Sequence, residues 1–397
     1  MTTLAQAAPK SANSVILSNV GHGYAHLFML LYPTVVLALE REFAMPYGDL
    51  LALSLPGYIL FGAAAMPAGW LGDRWSASGM MAIFFVGTGA SAVLTGFART
   101  PTEIMVGLGL IGLFASIYHP VGLAYVVRHA ENRGRALGVN GVFGSVGIAG
   151  APFVAGALIS LIDWRAAFIV PGLCAVATGL WFLSIAGIDR GARGGAKTAA
   201  DSGVTRAQAI RGLAVLALTS LCAGLIAQCL MVGLPKIVDV RVQMLGDGLL
   251  GKSGIVSLVL ALGAVGQLAG GWLADRFPLK VVYVTMYVLI APVAFVAAGL
   301  GDAALVVATA MMMLFLLTAV PTENSLVALL CPPRWHATAY GAKFVMALGV
   351  AASAIPLVGT VYDRTGEFWW LFIAVAAAAA TIVAAGLFLP NVGRKAG

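Results

Sequence analysis

The chain has 397 residues, of which 60% are hydrophobic and only 10% are charged, and its mean hydropathy is +0.96. Soluble globular chains carry about a quarter charged residues, so this composition excludes a soluble enzyme. The formal charge of +7 forms no basic face, because the charged residues sit in short loops between apolar runs. We therefore expect no nucleic-acid partner.

Twelve apolar runs are each long enough to cross a bilayer as a helix, which takes about 20 residues. The N-terminus lacks the pattern of a signal peptide, so we expect the first run to be retained as a span. The sequence therefore predicts an all-α protein of the lipid bilayer. Its predicted spans are 15–39, 50–70, 79–97, 103–127, 136–160, 166–188, 208–235, 251–273, 281–300, 303–331, 337–361 and 367–389.

Positive charge alternates between the loops. If both termini are cytoplasmic, the loops on that side carry 15 Lys and Arg residues, the opposite loops carry 7, and Lys343 is left inside a span. The positive-inside rule then predicts cytoplasmic termini and a location in the plasma membrane, or in the inner membrane of a cell with two. The polar segment 189–207 reads as a flexible cytoplasmic linker between six-helix bundles at 1–188 and 208–397.

The two predicted bundles are related in sequence. Gly69-Trp-Leu-Gly-Asp-Arg74 follows the second span, and Gly271-Trp-Leu-Ala-Asp-Arg276 follows the eighth, at an offset of 202 residues. Such repeats predict two matched bundles around one central site, as in transporters built from parallel repeats.

These doubled loops, in a chain of six plus six spans, resemble the loop motif of the major facilitator superfamily of secondary transporters. Within that superfamily, His119-Pro120 in the fourth span, the Gly- and Pro-rich fifth span and Trp164-Arg165 resemble the branch of fosmidomycin-resistance exporters. The resemblance implies a transporter that works by alternating access, with phosphonate antibiotics as the class of substrate.

Ionisable groups inside the spans are few, and each is a functional candidate because a charge at mid-membrane costs about 2.5–3.5 kcal/mol. Glu323 is the deepest acid and our first choice for proton coupling, with His119 as a second proton site or an anion ligand. The repeat offset of 204 places His119 and Glu323 at equivalent positions. Lys343 is expected at a depth similar to that of Glu323, so the alternative is a permanent buried ion pair between them. For His119 the alternative is a neutral histidine beside a kink at Pro120.

His22 and His26 are four residues apart and therefore share a helix face. A metal site would need a third ligand, which the sequence does not reveal, so we expect no metal. These histidines are instead candidates to contact substrate, together with Lys343. Uncharged side chains that can orient a substrate, each with ordinary packing as its alternative, are Tyr24, Tyr32, Tyr118, Asn140, Gln228 and Asn324.

Asp73-Arg74 and Asp275-Arg276 end the repeated loop motif. At helix ends, an acid and a base can bond to neighbouring helix termini and hold one conformation closed. We expect these four residues to act as a gate; the alternative is that they are simple topology charges.

The combined prediction is a proton-coupled exporter of a small organic anion or amphiphilic drug. The alternatives are an uptake symporter for a carboxylate-type nutrient and a non-transporting membrane receptor or assembly factor. No Walker motif is present, so the proton gradient is the expected energy source and no cofactor is expected. A monomer suffices, because one chain contains both halves of the site.

Overall fold

The structure, a computed structural model, describes residues 12–130, 133–188, 205–244, 246, 248–331 and 352–390. Within these ranges the regular structure is helical, with one π-helical turn at Tyr118–Gly122. The α-helices are α1 Ala12–Leu30, α2 Tyr32–Phe43, α3 Tyr47–Ala52, α4 Leu55–Ala63, α5 Ala65–Arg74, α6 Ala77–Gly96, α7 Pro101–Ala115, α8 Leu123–Arg128, α9 Arg133–Leu161, α10 Ala166–Ala186, α11 Arg206–Arg241, α12 Leu249–Arg276, α13 Leu279–Ala297, α14 Asp302–Leu330, α15 352–365 and α16 Trp369–Gly386.

Ten helical segments of the described chain are long and apolar enough to cross a membrane, and the bent run from α3 to α5 makes an eleventh. The helix α15 overlaps the predicted eleventh span, most of which lies outside the described residues. This architecture matches the predicted order of spans, but three of them are interrupted.

Proline explains where these spans break. Because proline has no N–H and its ring clashes with the preceding turn, it interrupts a helix or begins a new one. The first span breaks at Leu31, directly before the Tyr32-Pro33 start of α2. The second span breaks before Pro56 and again before Pro67, and α5 is tilted by 40° from the preceding helix. The fourth span contains the π-helical turn, with Pro120 inside it.

Helices pair in the same way in the two halves. The helix α4 packs against α7 in the first half, and its counterpart α12 packs against α14 in the second. Glycine makes both contacts close: a Cβ on Gly112 would lie 2.0 Å from the Gly57 carbonyl oxygen, and one on Gly270 would lie 2.2 Å from that of Thr318. Small residues allow such close approach between membrane helices.

The two halves meet along α9 with α12 and along α2 with α11. One large core of buried apolar side chains extends through both halves, and a smaller one lies within the first half. Many large apolar side chains are more than half exposed, as expected of a protein whose solvent is lipid; examples are Leu161, Leu180, Leu268 and Phe295.

We expect Gly112→Ala to lower the thermal unfolding midpoint of the purified protein in detergent. The new methyl group would meet the Gly57 backbone, and overpacking of this kind costs about 1–3 kcal/mol. The matched control is Gly109→Ala on the same helix, where the Cβ would stand 3.5 Å from the Pro56 side chain. Equal midpoints for the two variants would contradict this account of the α4–α7 contact.

Candidate functional site

The π-helical turn places His119 inside the first half. Pro120 follows His119 and cannot donate the helical hydrogen bond, which favours the wider π-helical winding. The helix α5 packs directly on this turn, since a Cβ on Gly69 would lie 3.0 Å from Pro120 and one on Gly72 would lie 2.8 Å from Val121. The glycines of the first loop motif therefore accommodate the turn that carries His119.

Three imidazoles meet in front of this turn. The Nε2 atoms of His22 and His26 are 3.2 Å apart, and the ring centroid of His119 lies 5.4 Å from that of His22 and 5.3 Å from that of His26. All three side chains are partly exposed, and the ring of Phe61 packs edge-on to His119 at 5.6 Å. We call His22, His26 and His119 the histidine cluster.

A polar network holds His22 in place. Its Nδ1 donates a hydrogen bond to the Asn140 carbonyl oxygen at 2.7 Å, so its Nε2 keeps a lone pair directed at the cluster. The Asn140 side chain is buried and donates to Asn19 Oδ1 at 2.9 Å and to the Tyr118 hydroxyl at 2.6 Å. Tyr118 in turn stacks on the His22 ring at 4.9 Å. Three of the predicted substrate contacts thus form one network on α1, α9 and the π-helical turn.

Glu323 lies in the second half, on α14. Its side chain is only 4% exposed, and Ser220 Oγ on α11 donates a hydrogen bond to its Oε1. The carboxylate is also close enough to Tyr283 and Tyr287 on α13 to interact with their hydroxyl groups electrostatically. The repeat-related positions His119 and Glu323 are therefore placed in different bundles, and each contacts groups of its own half.

The other predicted substrate contacts are scattered. Gln228 on α11 reaches the hydroxyl of Tyr58 on α4, across the interface between the halves. Tyr32 is fully buried and donates its hydroxyl to the Leu50 carbonyl oxygen at 2.6 Å. Asn324 is partly exposed on α14 next to Glu323. Lys343 lies outside the described residues, so its pairing with Glu323 stays a prediction.

An ion pair joins the halves where α2 and α11 end; we call this side the bonded end. Lys236 on α11 donates to both carboxylate oxygens of Glu40 on α2, at 2.8 and 3.0 Å. The ammonium group also lies 5.5 Å from the ring centroid of Tyr47 and 4.9 Å from that of Tyr362. The Lys236 side chain is 8% exposed and that of Glu40 is 23% exposed, so the pair is largely shielded from water.

Two further contacts strengthen the bonded end. The Asp363 carboxylate accepts hydrogen bonds from Gly48 N at 3.0 and 3.1 Å, which ties α15 to the first turn of α3. The backbones also touch there, because a Cβ on Gly359 would lie 2.6 Å from Gly48 Cα. Eight residues before the end of α9, Phe153 N donates to Ser257 Oγ on α12 at 2.9 Å.

The predicted gate residues lie at the opposite side. Asp73, Arg74, Asp275 and Arg276 are exposed at the ends of α5 and α12. Each arginine stacks on the tryptophan one turn earlier in its own helix: Arg74 lies 4.6 Å from the Trp70 ring and Arg276 lies 4.1 Å from the Trp272 ring. Within the described ranges, neither motif makes an ion pair across the halves. Their gating role stays a prediction, and it would have to operate in another conformation.

Sequence reasoning missed Asn19, Ser220 and the Glu40–Lys236 pair. Glu40 and Lys236 are 196 positions apart and occur near the ends of spans, where charge is ordinary. One usable signal was present: Glu40 and Lys236 fall at the same side of the membrane in the predicted topology, one in each half.

The sequence profile of the Major Facilitator Superfamily matches residues 24–356, and the chain belongs to this family. It is therefore a membrane transporter and not an enzyme, and the predicted transporter fold of membrane helices is confirmed. A comparison with curated protein sequences gave no significant match.

Several solved structures share the fold. A bacterial homolog of the human lysosomal transporter Spinster, in an inward-facing and occupied conformation, is 14% identical with a TM-score of 0.75, over 97% of this chain and 95% of that chain. The peptide transporter POT in complex with sulfate is 15% identical with a TM-score of 0.76, over 98% and 95%. A POT family transporter in complex with 5-aminolevulinic acid is 12% identical with a TM-score of 0.76, over 97% and 99%.

We expect Glu40→Gln to loosen the bonded end. A hydrogen bond to a charged group contributes about 1.5–3 kcal/mol, so its loss shifts the equilibrium towards separation of the halves about tenfold or more. The matched control is Glu42→Gln, two residues along α2. Glu42 bonds to Trp164 and Arg165, which belong to its own half, so this change leaves the interface intact.

The measurement is the distance distribution between spin labels at Leu161 on α9 and Leu250 on α12, both exposed at the bonded end. The four native cysteines are replaced beforehand. Glu40→Gln should add a longer-distance component that wild type and Glu42→Gln lack. The same distribution in all three proteins would show that the Glu40–Lys236 pair does not control this end.

Proposed function

We propose that the protein is a proton-coupled exporter of a small organic anion or amphiphilic drug that works by alternating access. The observation that carries the coupling is the burial of Glu323, the one acid among the described side chains that is both buried and away from the helix ends. It lies seven residues before the end of α14, or about 10 Å at 1.5 Å per residue. An ionisable group at this depth is a functional candidate by default, and a carboxyl group can take up and release a proton.

The arrangement of the halves supports alternating access. An ion pair, hydrogen bonds and a backbone contact hold the halves together at the bonded end, while the repeated Asp-Arg motifs at the other side are exposed. In the predicted topology, with cytoplasmic termini, the bonded end faces outward, which is the arrangement expected of a conformation open to the cytoplasm. Rocking about the central site would break the Glu40–Lys236 pair and bring the Asp-Arg motifs to the opposite helix ends.

The charges around the centre favour an anionic or zwitterionic substrate. The histidine cluster offers three imidazoles and no carboxylate, and a cationic drug would need more acid than Glu323 supplies. The resemblance of the His119-Pro120 region to fosmidomycin-resistance exporters also favours an anionic substrate and suggests phosphonates. Each pH unit of gradient supplies about 1.4 kcal/mol per proton, which is enough to drive modest export.

We expect Glu323→Gln to abolish substrate-driven proton movement in proteoliposomes while it preserves substrate counterflow. Counterflow exchanges one substrate molecule for another and needs no net proton transfer, so it reports that the binding site and the rocking motion are intact. The control is Glu103→Gln, because Glu103 is an exposed acid that caps the start of α7. Internal pH is followed with a trapped dye during addition of phosphonates, carboxylates, sulfate, 5-aminolevulinic acid and lipophilic cations.

The sign of the signal decides the mode of transport. Proton entry coupled to substrate exit in wild type and in Glu103→Gln establishes antiport. Movement of protons and substrate in the same direction shows an uptake symporter and overturns the proposal of export. Wild-type coupling that persists in Glu323→Gln removes Glu323 from the mechanism, and silence across the panel overturns the substrate class.

A further inference from the structure

Three histidines that are distant in sequence are brought together within the membrane-spanning region. Each offers a ring nitrogen, and these three nitrogen atoms lie within 4.8 Å of one another. The sequence showed only the pair His22 and His26, and the π-helical turn adds His119 as the third imidazole. We propose that the histidine cluster is a binding site for a divalent transition-metal ion, with Zn²⁺ as its representative, and that the fourth ligand position is open.

The separation of the nitrogens fits a metal of this class. Zinc binds histidine nitrogen at about 2.0–2.1 Å in tetrahedral geometry, which places neighbouring ligand nitrogens about 3.3 Å apart. The Nε2 atoms of His22 and His26 are already 3.2 Å apart. The three nitrogens lie within 4.8 Å of one another, so binding one ion requires His119 to approach the pair by at most about 1.5 Å.

His22 is prepared to act as a ligand. Metal-binding histidines usually donate their other ring N–H to a carbonyl or carboxylate, which orients the ring and selects the tautomer. His22 Nδ1 donates to the Asn140 carbonyl at 2.7 Å, and the Asn140 side chain is fixed by Asn19 and Tyr118. In the metal-free protein the proton between the Nε2 atoms belongs to His26. Binding of a metal at His26 Nε2 requires the tautomer in which that proton sits on Nδ1, so the ring stays neutral.

The ligand type determines which ions bind. Neutral imidazole suits zinc, copper and nickel, while magnesium and calcium require oxygen ligands. The cluster contains imidazoles alone among the described residues, so a bound dication stays uncompensated by protein charge. The open position then favours water or an anionic ligand. A metal would also occupy the lone pair on which the predicted proton role of His119 depends.

The test uses the full-length chain, purified without a polyhistidine tag and stripped of metal. Zn²⁺ is titrated with stoichiometry measured by elemental analysis, and Co²⁺ serves as a spectroscopic probe of the ligand geometry. We expect one ion per chain and the intense visible absorption of four-coordinate Co²⁺. His22→Gln, His26→Gln and His119→Gln should each weaken binding at least tenfold. His129→Gln is the matched control, since His129 bonds to the Tyr125 carbonyl outside the cluster.

A second pair of variants leaves every ligand in place. A Cβ on Gly144 would lie 2.5 Å from the His22 ring, so Gly144→Ala should displace that ring and weaken metal binding. Gly150→Ala on the same helix is the control, because nothing lies within 4 Å of its added Cβ. This pair keeps the proposal testable if a histidine variant fails to fold.

Three results would each overturn the metal site. They are less than one ion bound per chain, a six-coordinate Co²⁺ spectrum, and metal binding that survives in all three histidine variants. Glu323→Gln should bind Zn²⁺ as wild type does, because Glu323 lies in the other bundle. Glu323→Gln can lose proton coupling while it still binds metal, and the histidine variants can lose metal binding while proton coupling persists. Failure of the proposed function is therefore distinguishable from failure of this inference.

Discussion

Inside a bilayer no water is available to satisfy backbone polar groups, so every interruption of a helix must be covered by protein. The break at Leu31 is fully buried, and the π-helical turn at Tyr118–Gly122 is packed against α5. The constraint explains why the glycines of the first loop motif lie against Pro120 and Val121. Because the irregular backbone must be enclosed by protein, the polar side chains it carries, such as His119 in the π-helical turn, are enclosed with it.

The sequence predicted the broad architecture because the bilayer sets the length and polarity of a span. It could not predict the helix breaks or their consequences. Pro120 marked a kink, but a kink does not reveal that His119 turns towards His22 and His26, 93 to 97 positions earlier. The Glu40–Lys236 pair was hidden for a similar reason, since its members are ordinary end-of-span charges until the halves are docked.

The two halves have diverged in the character of their polar centres. The first half presents imidazoles held by an Asn and Tyr network, while the second buries a carboxylate beside a serine hydroxyl. His119 and Glu323 occupy equivalent positions in the repeat, yet the first lies in a π-helical turn and the second in a regular helix. Pro321 is accommodated in α14 without such a turn. Duplication therefore supplied matching scaffolds on which different chemistry developed.

The stacked Arg74–Trp70 and Arg276–Trp272 pairs have a consequence for the geometry of motion. Tryptophan and arginine favour the headgroup layer, where an aromatic ring meets lipid and a cation meets water or phosphate. Both bundles carry this anchor at the same position of their second span. Sliding of one bundle along the membrane normal would pull one anchor out of its layer. Rotation about an axis in the membrane plane leaves each anchor near its depth, so the lipid itself selects a tilting movement.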